Sequence, residues 1–204
     1  MDEKMDKVSY LIGRQVAGSL LQQGINVELK KFCEGIEDGI NNKELPFTNE
    51  EAAQIMQSFE AEMQQKLQAE KKAFAEKNLQ AGLEFLDKNK NADGIKVTGS
   101  GIQYRILEDA SGDKPKATDT VETHYEGKLL SGEIFDSSIQ RGESISFPVG
   151  GVIKGWQEVL QMMSVGARWQ VFIPAHLAYG ENGSPPKIGP NSVLEFEIQL
   201  INIV

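Results

Sequence analysis

The sequence predicts an α+β protein: an all-α N-terminal part with one long helix, then a mostly antiparallel sheet with a single short helix. Three observations predict it. Up to about Gly94 the apolar residues recur at helical spacing in a background rich in Gln, Glu, Lys and Ala. After Gly94 the spacing changes to alternation, in segments rich in Val, Ile, Gly and Pro. Within that second part, Val152–Met163 alone returns to a helical face, made of Ile153, Trp156, Val159, Leu160 and Met163.

In the first part, Val8, Leu11, Ile12, Val16 and Leu20 form one face of a helix over Met5–Gln23, and Gly24 is placed to end it. Asn26 is placed to cap a second helix whose face is Leu29, Phe32, Ile36 and Ile40. Gly35 and Gly39 lie four apart on it, and each costs about 1 kcal/mol relative to alanine, which suggests close approach to another helix. Cys33, beside Phe32 and Ile36, reads as a buried, inert thiol. Pro46 interrupts the chain, and Thr48-x-x-Glu51 is a capping box that opens a third helix. Neither Gly nor Pro occurs from there to Ala81, and the pattern extends to about Asn89, a rod of about 60 Å at about 1.5 Å per residue. Ile55, Met56, Phe59 and Met63 form an apolar stripe at its start, while its middle is polar and suited to solvent. Two short helices and one end of a rod make a small core for one chain, so the apolar faces call for a second copy; a three-helix bundle closed within one chain is the alternative. The expected organisation is a helical dimerisation segment over 1–64, an exposed linker helix over 65–93 and a sheet domain over 94–204.

Asn89, Asn91, Asp93 and Gly94 imitate the start of a calcium loop. The twelfth position is Ser100 where a bidentate Glu is required, so the segment reads as a helix end and linker. Beyond it, Ile102, Tyr104 and Ile106 alternate with Gln103 and Arg105, and Val121, Thr123, Tyr125, Gly127 and Leu129 alternate with Glu122, His124, Glu126 and Lys128. The second alternation places His124 on the solvent face. Ser144–Val149, Ala167–Ile173 and Ser192–Ile203 are the remaining strands.

Composition excludes several functions. The net charge is −9, with 12 basic and 17 acidic side chains up to Gly94 and 9 and 13 after it. Charge so distributed repels nucleic acid and anionic lipid. One cysteine allows neither an internal disulfide nor a cysteine-rich metal site. No apolar run is long enough to span a bilayer, and no basic, then apolar, leader opens the sequence. A cytoplasmic protein is the expectation, or a periplasmic one if this is a processed chain. There is no Gly-x-Ser-x-Gly, no phosphate-binding lysine loop and no dinucleotide fingerprint, and His124 and His176 are isolated. The second part instead holds aromatic and aliphatic residues near loops: Phe135 before Asp136-Ser137-Ser138, Val152–Ile153 after two glycines, and Tyr179 between Ala178 and Gly180. Apolar loop residues with a few polar neighbours describe a ligand pocket.

HYEGKLLSGEIFDSS, GGVIKGW, IPAHLAYGENG and GPNSVLEFEIQLINI resemble, in order and spacing, the signature blocks of the FKBP family of peptidyl-prolyl cis/trans isomerases over about Gly101–Val204. VSYLIGRQVAG and the long polar helix resemble the arm of the Mip-like (macrophage infectivity potentiator-like) bacterial members, in which the arm forms a homodimer. The resemblance implies an FKBP-like sheet wrapped on its helix. It implies a pocket lined by Tyr125, Phe135, Phe147, Val152, Ile153, Trp156, Tyr179 and Phe196, with Trp156 as its floor and Asp136 and Arg141 as a polar pair. By the same resemblance, the Tyr179 hydroxyl and the Ile153 amide hold substrate carbonyls, and Phe135, Asp136 and Tyr179 carry the catalysis. Ile145 stands where many members have an aromatic residue, and Ser184 and Lys187 make the outer rim less apolar than in the best-known eukaryotic members. The implied partners are proline-containing polypeptide clients, a second copy of the chain, and macrolide inhibitors of the FKBP class; no cofactor or metal is implied. A holdase chaperone using the domain as a peptide-binding module is the alternative function.

Overall fold

A computed structural model describes residues 3–204. The chain divides into two compact units, the first ending at Glu60 and the second running from Ala61 to Val204.

The first unit contains helices α1 (Glu3–Gln22) and α2 (Leu29–Ile40) and the first turns of α3 (Asn49–Asn89). Gly24 ends α1 in the left-handed conformation, φ +67°. Its amide donates to Leu21 O (3.0 Å) and that of Ile25 to Leu20 O (2.9 Å), the paired bonds of a Schellman motif. The second helix starts differently from the sequence expectation. Glu28, not Asn26, caps it, its carboxylate accepting from the amides of Lys30 (3.3 Å) and Lys31 (2.7 Å). A longer side chain reaches these amides from one residue before the helix, and the negative charge suits its positive end. The capping box forms as expected: Glu51 N donates to Thr48 Oγ1 (3.2 Å) and Thr48 N to Glu51 Oε2 (2.8 Å).

Neither α1 nor α2 contains a buried residue. Leu11 is 63% exposed, Ile12 56%, Ile40 76% and Ile55 57%, so these faces are not closed into a bundle within one chain. Cys33 is exposed, contrary to the buried thiol expected, because nothing among the described residues covers that face of α2.

The second unit is built on an antiparallel sheet of β1 (Lys96–Val97), β2 (Gln103–Glu108), β3 (Thr120–Leu129), β4 (Ile134–Ser137), β5 (Ile145–Pro148), β6 (Arg168–Ile173) and β7 (Leu194–Ile203), ordered β1-β2-β6-β7-β3-β4 with β5 also on β3. Helix α4 (Ser138–Arg141) is one turn; α5 (Lys154–Met162) is the packed helix. Trp156, Val159 and Leu160 of α5 are buried with Val171, Ile173, Leu194, Ile198 and Leu200 of the sheet. Gly155 makes this possible: a Cβ there would lie 2.4 Å from Ile173 Cγ2.

The polar residues of β2 do not all face water. Gln103 is 3% exposed, donates to Leu86 O of α3 (2.7 Å) and accepts from Asn89 Nδ2 (2.9 Å). The Phe85 ring meets that of Phe172 at 5.2 Å, and Gly82 lies so close to Val193 that a Cβ would approach its Cγ2 to 2.7 Å. The packing of this unit therefore reaches back along α3 well before Gly94, as far as Phe74, against which Gly189 lies. The change of composition marks where the helix ends, while the packing reaches back along it through a few residues that leave no compositional trace. A fragment starting at Gly94 is expected to be about 2–4 kcal/mol less stable to urea than one starting at Ala61, since it loses the Phe85–Phe172 contact, the Gly82–Val193 packing and the hydrogen bonds between Gln103 and α3. Equal midpoints and slopes would show that α3 contributes nothing to this unit.

Candidate active site

Four strands, a turn, a helix and a loop converge on one cavity of about 350 Å³. It is lined by Tyr125 of β3, Phe135 and Asp136 of β4, Phe147 of β5, Gly151, Val152 and Ile153 of the turn, Trp156 of α5, Tyr179 of the β6–β7 loop and Phe196 of β7. Nine of the ten residues expected to line the pocket or carry its chemistry, all but Arg141, are in this set. Arg141 stands behind it, on α4.

Trp156 is 4% exposed, with its ring edge-on to those of Tyr125 (5.3 Å), Phe147 (5.8 Å) and Phe196 (5.4 Å). Its buried Nε1 has no hydrogen-bond partner among the described residues. Phe135 packs edge-on against Phe196 at 5.6 Å, interplanar angle 85°. Gly127 lies opposite Phe196 in the sheet and leaves the space for both rings: a Cβ there would lie 2.5 Å from Phe135 Cζ and 2.8 Å from Phe196 Cε1. The sequence alternation gave Gly127 a core position without showing that two pocket rings depend on its bare Cα.

The polar side of the cavity is a triad of hydrogen bonds. Tyr125 OH and Arg141 Nη1 both donate to the Asp136 carboxylate, and Arg141 Nη2 lies 3.4 Å from Tyr125 OH, with its guanidinium 5.9 Å from the Tyr125 ring centroid. Burial pushes the Asp136 carboxyl up, but the bonds from Tyr125 and Arg141 outweigh it and hold it below the usual carboxylate range. Burial, reinforced by the bond to Asp136, pushes the Tyr125 phenol up against the opposing pull of Arg141. The pair is thus fixed as carboxylate and neutral phenol at physiological pH.

The sign for Asp136 follows from its lowered folded value. Its contribution to stability is present above the ordinary carboxylate value, about 3.9, and is lost as pH falls through the folded value. Activity at this cavity is expected to be level from about pH 5 to about pH 9, with an acid limb below the ordinary carboxylate value. A pH profile of kcat/KM checks this; an acid limb centred above pH 5 would contradict the triad.

Backbone positions around the cavity are set by residues beyond its ring of aromatic side chains. Ser138 is fully buried, accepts from Tyr125 N (2.7 Å) and donates to Tyr125 O (3.2 Å), closing the ladder where β4 turns into α4. His124 Nδ1 lies 3.2 Å from the same hydroxyl and the ring is half-buried, not in solvent as expected; α4 folds over the strand face that alternation had left open. Lys187 Nζ donates to Phe135 O (2.7 Å), so a residue noted only for making the rim polar also holds a pocket strand. Ile145, the departure before Phe147, packs partly buried against the core. Ile153 caps α5, where its amide has no acceptor within the helix. The Tyr179 hydroxyl makes no hydrogen bond among the described residues, and the residue is 40% exposed.

An antiparallel sheet packed on one helix, with an aromatic cavity that carries uncommitted donors and no nucleophile, defines a binding domain for an apolar ligand bearing amide carbonyls. Residues 112–201 match the family described as FKBP-type peptidyl-prolyl cis-trans isomerase, and residues 5–106 match the domain amino-terminal to it. The peptidyl-prolyl cis-trans isomerase Mip of Coxiella burnetii is 40% identical over 200 residues, 98% of this chain and 87% of that protein. The outer membrane protein MIP of Legionella longbeachae is 39% identical over 198 residues, 97% and 85% of the two chains. The crystal structure of FkpA from Escherichia coli superposes with a TM-score of 0.83 at 34% identity, covering 98% of this chain and 95% of that one. The chain belongs to the FKBP-type peptidyl-prolyl cis-trans isomerase family. No helix among the described residues is long and apolar enough to cross a membrane, and the cytoplasmic placement expected from the sequence gains no support from these relatives.

Proposed function

We propose that this protein is a peptidyl-prolyl cis/trans isomerase that acts on Xaa-Pro bonds of folding chains. The observation that carries the reading is the cavity itself: an aromatic socket whose hydrogen-bond donors at Trp156, Tyr179 and Ile153 are unspent among the described residues.

Rotation about an Xaa-Pro bond meets a barrier near the ordinary amide value, about 18–20 kcal/mol, because the C–N bond loses its double-bond character; no covalent bond breaks. The twisted amide is less polar than the planar one, so a dry aromatic socket favours it relative to the ground state. In this reading Phe135, Phe147, Trp156 and Phe196 grip the prolyl ring with Tyr125, Val152 and Ile153. The Tyr179 hydroxyl and the Ile153 amide bond the flanking carbonyls. Asp136, kept ionised by Tyr125 and Arg141, faces the turning carbonyl or orders the ring beside it.

Isomerisation of a prolyl tetrapeptide by the full chain tests this. Asp136→Leu and Tyr179→Ala are each expected to lower kcat/KM about tenfold, the loss of one oriented polar contact. A folded wild-type chain with no turnover would overturn the function; full activity in both variants would overturn the roles of these residues.

We also propose that residues up to about 64 form a homodimer. The exposed faces of α1 and α2 and the Ile55–Met63 stripe support it, since such surface calls for a partner of the same chemistry. The arm would then help to hold client chains near the two cavities.

A further inference from the structure

The β6–β7 loop that carries Tyr179 packs Leu177, Ala178 and Ile188 into or against the core and is further fixed by hydrogen bonds within itself, to β4 and to α3. At the cavity, Gly183 N donates to Tyr179 O (3.2 Å), and Ser184 and Ile188 exchange two backbone bonds of 2.8 and 3.0 Å. Lys187 ties the loop to Phe135 O. At its far end the loop is seated on α3. Asn78 Nδ2 donates to Pro190 O (2.8 Å), and Asn191 Nδ2 donates to Ala75 O (3.4 Å). Gly189 touches the helix so closely that a Cβ would lie 2.6 Å from Phe74 Cε1 and 3.0 Å from Asn78 Nδ2.

Asn191 joins the two ends. Its backbone amide donates to Gly180 O (2.8 Å), next to Tyr179, while its side chain reaches α3. Its φ is +54°, a conformation that asparagine tolerates better than other non-glycine residues but that still persists only where surroundings hold it. The bond to Ala75 O supplies that hold. The Tyr179 side chain has little fixing of its own: the residue is 40% exposed and its hydroxyl is free among the described residues. Its place over the cavity is therefore set by its backbone, which the packed Leu177 and Ala178 hold on one side and the segment 180–191, seated on the helix, holds on the other.

We propose that Asn78 and Asn191 are positioning residues of the isomerase site, which fix the Tyr179 hydroxyl over the cavity by bonding its loop to α3. The proposal rests on reading the cavity as the prolyl site. A donor displaced by a fraction of an ångström loses most of its value to a transition state, so the effect falls on turnover. The docked part of α3 is in this sense a working part of the catalytic unit.

The test is a double-mutant cycle in the full-length chain, with kcat/KM on a prolyl tetrapeptide. Asn191→Gly accepts the positive φ without strain and removes only the side-chain bond; Asn78→Ala removes the second bond from the helix side. Each is expected to lower kcat/KM about fivefold with Tyr179 present and less than twofold in a Tyr179→Phe background, because a positioning residue loses its effect when the positioned hydroxyl is gone. The same factor in both backgrounds, or no loss in either, would overturn the proposal. If Asn191→Gly fails to fold, Asn78→Ala, at a partly exposed helix position, carries the cycle alone. Amide exchange at Gly183 and Ile188 provides a readout independent of catalysis. Faster exchange in Asn78→Ala is expected, and unchanged exchange would overturn the coupling even in an active enzyme. If the wild-type chain failed to isomerise the peptide, the prolyl-site reading would fall, while the exchange result would still decide whether α3 sets the loop.

Discussion

Phe135→Ala is expected to reduce kcat/KM on a prolyl tetrapeptide by about 10- to 100-fold, the equivalent of the roughly 1.5–3 kcal/mol that burying a large apolar side chain is worth. The ring is 8% exposed and held on several sides: edge-on by Phe196, from below by the bare Cα of Gly127, and through its own carbonyl by Lys187. Removing it takes a wall from the socket and lets water reach the space where the amide must twist. Stability is expected to fall as well, by about 3 kcal/mol for a buried Phe→Ala change, so the variant must be shown to be folded before its rate is read. Gly127→Ala provides the complementary perturbation. It leaves Phe135 in the chain but forces both rings to move, and it is expected to cost activity in the same direction. A folded Phe135→Ala chain with wild-type kcat/KM would remove the ring from the mechanism.

Deletion of residues 1–64 is expected to leave tetrapeptide turnover within about twofold of the full chain while slowing catalysis of a proline-limited refolding reaction by about tenfold or more. Every residue that lines the cavity lies in the unit from Ala61 onward, together with the helix turns that seat the Tyr179 loop. A tetrapeptide fills the cavity and gains nothing from the arm. A whole client chain that touches both arm and cavity gains effective concentration, which raises avidity by about 10²-fold or more without altering the site. Sedimentation of the deleted protein is expected to give a monomer. Equal refolding rates with and without the arm would show that the exposed faces of α1 and α2 serve some purpose other than client handling, and a dimer after deletion would place the interface elsewhere.

What the sequence determined by itself was local, or repeated locally. Period and punctuation located the three N-terminal helices, because each turn presents its apolar residues at a fixed spacing and Thr48, Glu51 and Gly24 carry their capping chemistry in their own side chains or lack of one. Alternation located β2 and β3, and four sequence blocks pointed to the cavity residues. Only the tertiary structure decided the relations between segments distant in the chain. Gln103 reads as a solvent residue of a strand until Leu86 O and Asn89 lie over it. His124 reads as exposed until α4 brings Ser138 to it. Cys33 reads as buried because helical spacing marks a face as apolar without saying whether anything covers it, and among the described residues nothing does. Gly127, Gly155, Asn78 and Lys187 carry no sequence signal of their role, since a close approach or a long-range hydrogen bond is a property of two positions and the sequence presents each alone. The composition change at Gly94 marked the end of a helix, while the contacts of Phe74, Gly82 and Phe85 extend the packed unit back along it, because packing follows surfaces and leaves composition unchanged.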